Sequence, residues 1–265
     1  MNPASDGGRV LITGASRGIG LALARVFARH GHDLVLTARS VDELGERARE
    51  LEVEHGVSAR VIAGDLARPD VPETIRQELA EAGIDVDILV NNAGFGSHGP
   101  FHEQDLDREI GMIRVNIEAL TRMTRLFLPG MVERGRGGVL QVASTAAFQP
   151  GPLMAVYYAS KAYVLHFSEA IAEEVRRQGV TVTVLCPGPV PTGFQGSADM
   201  GEAGIATGAV PMTTADAVAE AGYRGFTAGR RIVIPGTMNK LGAFLVRFTP
   251  RGFSARVAGK LNAAE

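Results

Sequence analysis

Tyr157 and Lys161 stand four residues apart in VYYASKAYVLHF, and Ser144 closes the run GGVLQVAS thirteen residues before the tyrosine. Four-residue spacing puts two side chains on one face of a helix, so the Lys161 ammonium is expected beside the Tyr157 phenol, favouring its ionised form. An unperturbed phenol titrates near ~10. One shifted toward neutrality gives a proton to a carbonyl oxygen, or takes one from an alcohol, near working pH. Ser144, at a strand end facing that helix, is placed to hold the same oxygen. Alone, Tyr-x-x-x-Lys is more often a packed aromatic beside a snorkelling cation. Tyr158 and Tyr163 lie nearby, but neither has a lysine four residues onward.

The other motifs tip that balance. Thr13-Gly14-Ala15-Ser16-Arg17-Gly18-Ile19-Gly20 follows a short apolar run and opens a helical pattern. Glycines there allow a tight turn and close approach of backbone to a pyrophosphate, which the free N–H groups and dipole of the helix attract. Gly14, Ser16, Arg17, Gly18, Ile19 and Gly20 are therefore candidate cofactor contacts. The second strand ends in Leu36-Thr37-Ala38-Arg39-Ser40, with no carboxylate for a ribose 2′-hydroxyl. Arg39 is available to pair with a 2′-phosphate, and Arg17 is expected to reach the same group, so NADP(H) is favoured over NAD(H). In Gly64-Asp65-Leu66 the carboxylate suits an adenine amino group, or equally a helix cap. Asn91-Asn92-Ala93-Gly94 ends the fourth strand, where Asn92, Ala93 and Gly94 read as cofactor floor.

These residues need a scaffold that brings strand ends together. RVLIT, HDLVLTA, ARVIAG, VDILVNN, GGVLQVAS, VTVTVLC and RRIVIP read as seven strands, mostly near-continuous apolar runs of the kind buried on both faces. Helices are expected over 18–30, 41–55, 71–82, 106–133, 155–178 and 214–227. The fold expectation is a doubly wound parallel seven-stranded α/β sheet with helices on both faces, Rossmann-like, in a single domain. Residues 1–8 read as a frayed tail, 9–235 as the core and 236–265 as a helical extension. The Gly- and Ala-rich stretch 193–210 reads as a lid.

Composition narrows the classes. With 27 Lys/Arg against 29 Asp/Glu the chain has no basic field for nucleic acid. One cysteine, Cys186, forms no intrachain disulfide, and no signal peptide is recognised, so a cytoplasmic location is expected. No histidine pair or trio has metal-ligand spacing, and no catalytic metal is expected. No apolar run reaches the ~18 residues of a spanning helix. MNKLGAFLVRF, residues 238–248, suits core or subunit packing first, and a membrane interface second.

Together, Thr13-Gly-x-x-x-Gly-x-Gly20, Asn91-Asn-Ala-Gly94, Asn116, Ser144, Tyr157-x-x-x-Lys161 and Pro187-Gly188 resemble the short-chain dehydrogenase/reductase family, in its compact single-domain branch. The resemblance spans about residues 9–235. It implies that Tyr157 is the general acid/base, that Lys161 lowers its pKa and binds the nicotinamide ribose, and that Ser144 positions the substrate carbonyl. It also implies that Asn116, in IRVNIEAL, interrupts a long helix and holds a water in a proton relay to the lysine. Pro187, Gly188, Val190 and Thr192 fit the family's turn over the nicotinamide carboxamide. The implied assembly is a homodimer or homotetramer through helices 106–133 and 155–178.

Phe95, His98, Phe148, Leu153, Met154 and Phe194 are candidate pocket walls, which points to an apolar carbonyl or alcohol substrate. Three functions are consistent with the sequence: an NADPH-dependent carbonyl reductase, the same site run as an NAD(P)+-dependent alcohol dehydrogenase of hydroxysteroid type, and a non-catalytic nucleotide sensor. The reductase is favoured, because a sensor has no use for Asn116, Ser144, Tyr157 and Lys161 together. The extension is expected to cover the pocket, engage another subunit or touch a membrane.

Overall fold

Strand β1 (Val10–Thr13) is buried at all four positions, as are β2 (Leu34–Thr37) and β4 (Ile88–Asn91), which is what a sheet covered on both faces demands of its central strands. In the computed structural model, which describes residues 7–191 and 213–263, these join β3 (Ala59–Val61), β5 (Gly137–Val142), β6 (Val180–Leu185) and β7 (Ile232–Val233). The seven strands run in the order β3-β2-β1-β4-β5-β6-β7, every pairing parallel. The doubly wound sheet is as expected. β3 and β7 are shorter than their sequence runs, at the two edges where only one neighbour supplies hydrogen bonds.

Alternation along each strand sends side chains to two separate cores. Val10, Ile12, Leu34, Leu36, Val90 and Leu185 pack on one face. They meet α1 (Gly18–Arg29), α2 (Val41–His55) and α7 (Ala215–Thr227), whose Phe27 and Phe226 are fully buried. Leu11, Val35, Leu89, Val139 and Val182 pack on the other. There they face α3 (Val71–Glu81), α5 (Leu120–Glu133) and α6 (Ala155–Glu174).

The helix expected over 106–133 is not continuous. It comprises α4 (Leu106–Ile113), a π turn (Arg114–Ala119) and α5. The interruption falls on Asn116, and π turns inside helices are often associated with functional sites. Beyond the sheet lie α8 (Thr237–Leu245), a 3₁₀ turn (Val246–Phe248) and α9 (Arg251–Ala263). Core packing of residues 238–248 is not realised. Met238, Leu241, Phe244, Leu245 and Phe248 are all exposed, and only Ala243 of α8 is buried. The lid assigned to 193–210, and Thr192 and Phe194 with it, lie outside the described residues, as do residues 1–6 of the tail.

Candidate active site

Topology alone gathers the motifs. In a doubly wound sheet the crevice beyond the carboxyl ends of the strands, where the chain leaves the neighbouring β1 and β4 in opposite directions, is where ligands sit. The turn after β1, the Asn-Asn-Ala-Gly stretch after β4, Ser144 after β5 and the Pro-Gly turn after β6 all fall there.

The glycine-rich turn is a cradle that side chains would fill. Gly14 and Gly18 have φ of +66° and +58°. A Cβ at Gly20 would lie 2.1 Å from the Gly14 carbonyl oxygen. Helix α1 starts at Gly18 with no side-chain cap, because Arg17 in the N-cap position has nothing to accept with. Its first N–H groups are left for an anion, so the turn fits a dinucleotide pyrophosphate. Thr13 holds the cradle to the next strand: its Oγ1 accepts from Asn92 N and Ala93 N, both at 2.9 Å. Asn92 Nδ2 in turn donates to Thr13 O at 2.9 Å and Gly14 O at 3.2 Å. Asn92 is thus a brace between β1 and β4, and Asn91 points the other way, donating to Thr124 Oγ1 of α5 at 3.0 Å.

The two arginines behave differently from each other. Arg39 is exposed and makes no ion pair or hydrogen bond to another described residue. Arg17 is not held free for a 2′-phosphate as expected. Its Nη2 lies 3.0 and 3.1 Å from the two carboxylate oxygens of Glu43, in the first turn of α2. Ser40, the cap of that helix, accepts from Glu43 N at 3.3 Å and so presents this carboxylate. Asp65 is exposed and its Oδ1 accepts from Ala67 N at 3.0 Å within a turn, so it is not the helix cap weighed from the sequence, a position that Asp70 takes before α3, while Leu66 is buried.

Ser144, Tyr157 and Lys161 converge as the spacing predicts. The extended backbone at Ser144 ends β5 and caps a 3₁₀ turn (Thr145–Phe148), with Oγ accepting from Ala146 N at 3.1 Å. The Ser144 side chain lies close enough to the Tyr157 phenol to favour its ionised form. Lys161 is buried, its Nζ donating to Val142 O at 3.0 Å and lying 5.8 Å from the centre of the Tyr157 ring.

The electrostatics of this pair differ from the expectation. The Tyr157 phenol is pushed up to about 12, chiefly by desolvation, with the Ser144 side chain pulling it part of the way back. Lys161 is pushed down to about 8 by the same burial, which the neighbouring Cys186 only partly opposes. Lys161, at about 8, has lost its proton well before the phenol titrates, so burial sets the direction of the phenol's shift.

Asn116, in the π turn, is almost wholly buried and fully used. Its Oδ1 accepts from Phe95 N at 3.2 Å, and its Nδ2 donates to Phe95 O and Ser160 Oγ, both at 3.0 Å. It ties the chain after β4 to α6 next to the lysine. A Cβ at Gly94 would fall 3.0 Å from Asn116 Oδ1 and 3.4 Å from Lys161 Nζ, so a glycine there keeps the space between them open. The turn after β6 closes over Ser144: Pro187 O accepts from Thr145 N at 2.8 Å, and Val190 is buried. Gly188 lies under Asn239 of α8, whose side chain a Cβ would meet at 2.5 Å.

Asn262 was not anticipated. It reaches from α9 to the loop before α6, donating to Pro152 O at 2.8 Å and accepting at 3.1 Å from the hydroxyl of Tyr158, while its carbonyl bonds His98 Nε2 at 2.8 Å. That loop holds Leu153 at φ +68°, the one non-glycine with positive φ among the described residues. Of the expected pocket walls, Phe95, His98, Phe148 and Leu153 are half-buried and Met154 is buried. The only polar signal for Asn262 in sequence is the four-residue spacing Ser254, Ala258, Asn262, which is the buried face of α9.

Among the described residues, no cluster of three or more His, Cys, Asp or Glu side chains is placed to hold a metal ion.

A strand-end serine, a Tyr-x-x-x-Lys helix and a glycine cradle meet on one sheet edge. The family profile described as short chain dehydrogenase matches residues 9–203, and the chain belongs to that family. It is 39% identical over 181 residues to the very-long-chain 3-oxoacyl-CoA reductase of Homo sapiens, covering 67% of this chain and 57% of that protein. It is 37% identical over 190 residues to the 17-beta-hydroxysteroid dehydrogenase type 3 of Mus musculus, covering 71% and 62%. The chain therefore spans about three fifths of the length of these curated relatives. Among solved structures, a short-chain dehydrogenase from Sphingobium yanoikuyae in complex with NADPH superposes with a TM-score of 0.82 at 32% identity, covering 91% of this chain and 93% of that one.

Proposed function

We propose that the chain reduces a hydrophobic ketone or 3-oxoacyl-type substrate with NADPH. The observation that carries this reading is the convergence of Ser144, Tyr157 and Lys161 beside the glycine cradle. When bound, the cofactor supplies a hydride to the carbonyl carbon. Tyr157 donates its proton to the oxygen as the C=O double bond becomes a single bond, and Ser144 Oγ–H holds that oxygen in line. Desolvation keeps the phenol protonated at neutral pH, which is the starting state for reduction, while Lys161 is still largely charged there. The ammonium stabilises the phenolate left behind. Asn116 holds the backbone after β4 so that Gly94 stays clear of the lysine.

The preference for a 2′-phosphate rests on Arg39, exposed at the end of β2 without a carboxylate beside it in the β2–α2 turn, and the NADPH named for the Sphingobium structure supports it. The apolar character of Phe95, Leu153 and Met154 supports a lipid-like substrate, as do the two curated relatives. A panel of long-chain 3-oxoacyl thioesters, ketosteroids and ketoses, each with NADPH and NADH, tests this. Turnover of the first or second class with NADPH is expected. Selective turnover of ketoses, or equal use of NADH, would overturn the substrate or cofactor assignment respectively.

A further inference from the structure

We propose that α8 and α9 form an in-plane docking surface for an anionic lipid bilayer. The exposed side chains of α8 and its 3₁₀ continuation, Met238, Leu241, Leu245 and Phe248, recur at three- and four-residue spacing and make one stripe. Phe248 is 74% exposed and Met238 61%, and the rings of Phe244 and Phe248 meet edge to face at 5.2 Å. The stripe lies roughly opposite Ala243, the buried residue of this helix. Helix α9 carries a second exposed apolar row, Phe253, Val257 and Leu261 at four-residue spacing, about 100° around the helix from Ser254, Ala258 and Asn262, which face the protein.

Charge selects the occupant. Lys240, Arg247, Arg251, Arg256 and Lys260 are all exposed, and none makes an ion pair with a described residue. Of the chain's 27 Lys/Arg and 29 Asp/Glu, residues 236–265 hold five and one, so +4 sits on the extension and −6 on the rest. An apolar stripe flanked by cations without acidic neighbours matches a bilayer with anionic headgroups. Two copies joined through this face would set cations against cations. No helix among the described residues is long and apolar enough to cross a membrane, so the contact lies in the interface plane. The surface is built onto the substrate side, since Asn262 of α9 holds Pro152, Tyr158 and His98.

The test is flotation of the full chain with phosphatidylcholine vesicles, with and without phosphatidylglycerol, for wild type, Phe244→Ser/Phe248→Ser and Lys240→Glu/Arg247→Glu. All four positions are exposed, so far-UV circular dichroism and the thermal midpoint are expected to be unchanged. Binding to the anionic vesicles only, weakened by added salt and at least about tenfold by either double variant, is expected. Absence of binding, or equal binding to neutral vesicles by all three proteins, would overturn the proposal. So would dissociation of an oligomer by Phe244→Ser/Phe248→Ser with no vesicle binding, which would make this face an interface between copies.

Discussion

Lys161 is a cation withdrawn from water with one backbone carbonyl for company, 3.0 Å away. Its folded pKa of about 8 lies below the ordinary 10.5, so between those values the unfolded chain binds more protons and stability rises with pH through that window. Lys161→Met is therefore expected to stabilise the fold at pH 7 by about 1–3 kcal/mol, with most of the gain lost near pH ~10. Urea unfolding at the two pH values checks this, and an equal effect at both would contradict it. At the nucleotide end, Glu43 competes with a 2′-phosphate for Arg17. Glu43→Ala is expected to tighten NADPH binding by roughly three- to tenfold while leaving NADH nearly unaffected, as titration calorimetry would read. The grouping of Ser144, Tyr157 and Lys161 was legible because its geometry is local: helical spacing fixes Tyr157 against Lys161, and a strand end fixes Ser144. The Arg17–Glu43 pairing was not, since it joins residues 26 apart through two long rotatable side chains.

At the level of elements, the seven apolar runs and their crossover spacing were enough to predict the parallel sheet, and the edge strands came out short because their outer hydrogen bonds have no partner. The π turn at 114–119 could not be read from periodicity, which continues through IRVNIEAL as though the helix were regular. Its sequence mark is the asparagine alone. Asn116 satisfies both Phe95 N–H and Phe95 C=O, so Asn116→Ala takes this partner from two backbone groups, while Ser160 Oγ keeps its bond to Tyr157 O. A loss of about 2–4 kcal/mol is expected from denaturant unfolding, together with reduced turnover. Stability unchanged within ~0.5 kcal/mol would show that the π turn does not depend on this side chain. Asn262 escaped notice for a different reason: it lies 104 residues from Tyr158, and only the folded extension brings the two together.

On the scale of the molecule, two cores clamp a sheet whose carboxyl edge carries every motif, and a cationic two-helix extension rests against the substrate side. The division of labour is physical. The cradle fits a dinucleotide phosphate because Gly14, Gly18 and Gly20 leave no side chain in the way, and desolvation pushes the tyrosine's pKa up, toward the protonated form that reduction starts from. The most direct measurement is NADPH-dependent turnover by Tyr157→Phe beside wild type, with NADPH affinity measured on both proteins. A fall in turnover of at least about a thousandfold with NADPH affinity within roughly threefold of wild type is expected, because the lost group acts on the carbonyl oxygen and not on the nucleotide. Turnover within about tenfold of wild type would contradict the assignment of Tyr157 as the proton donor.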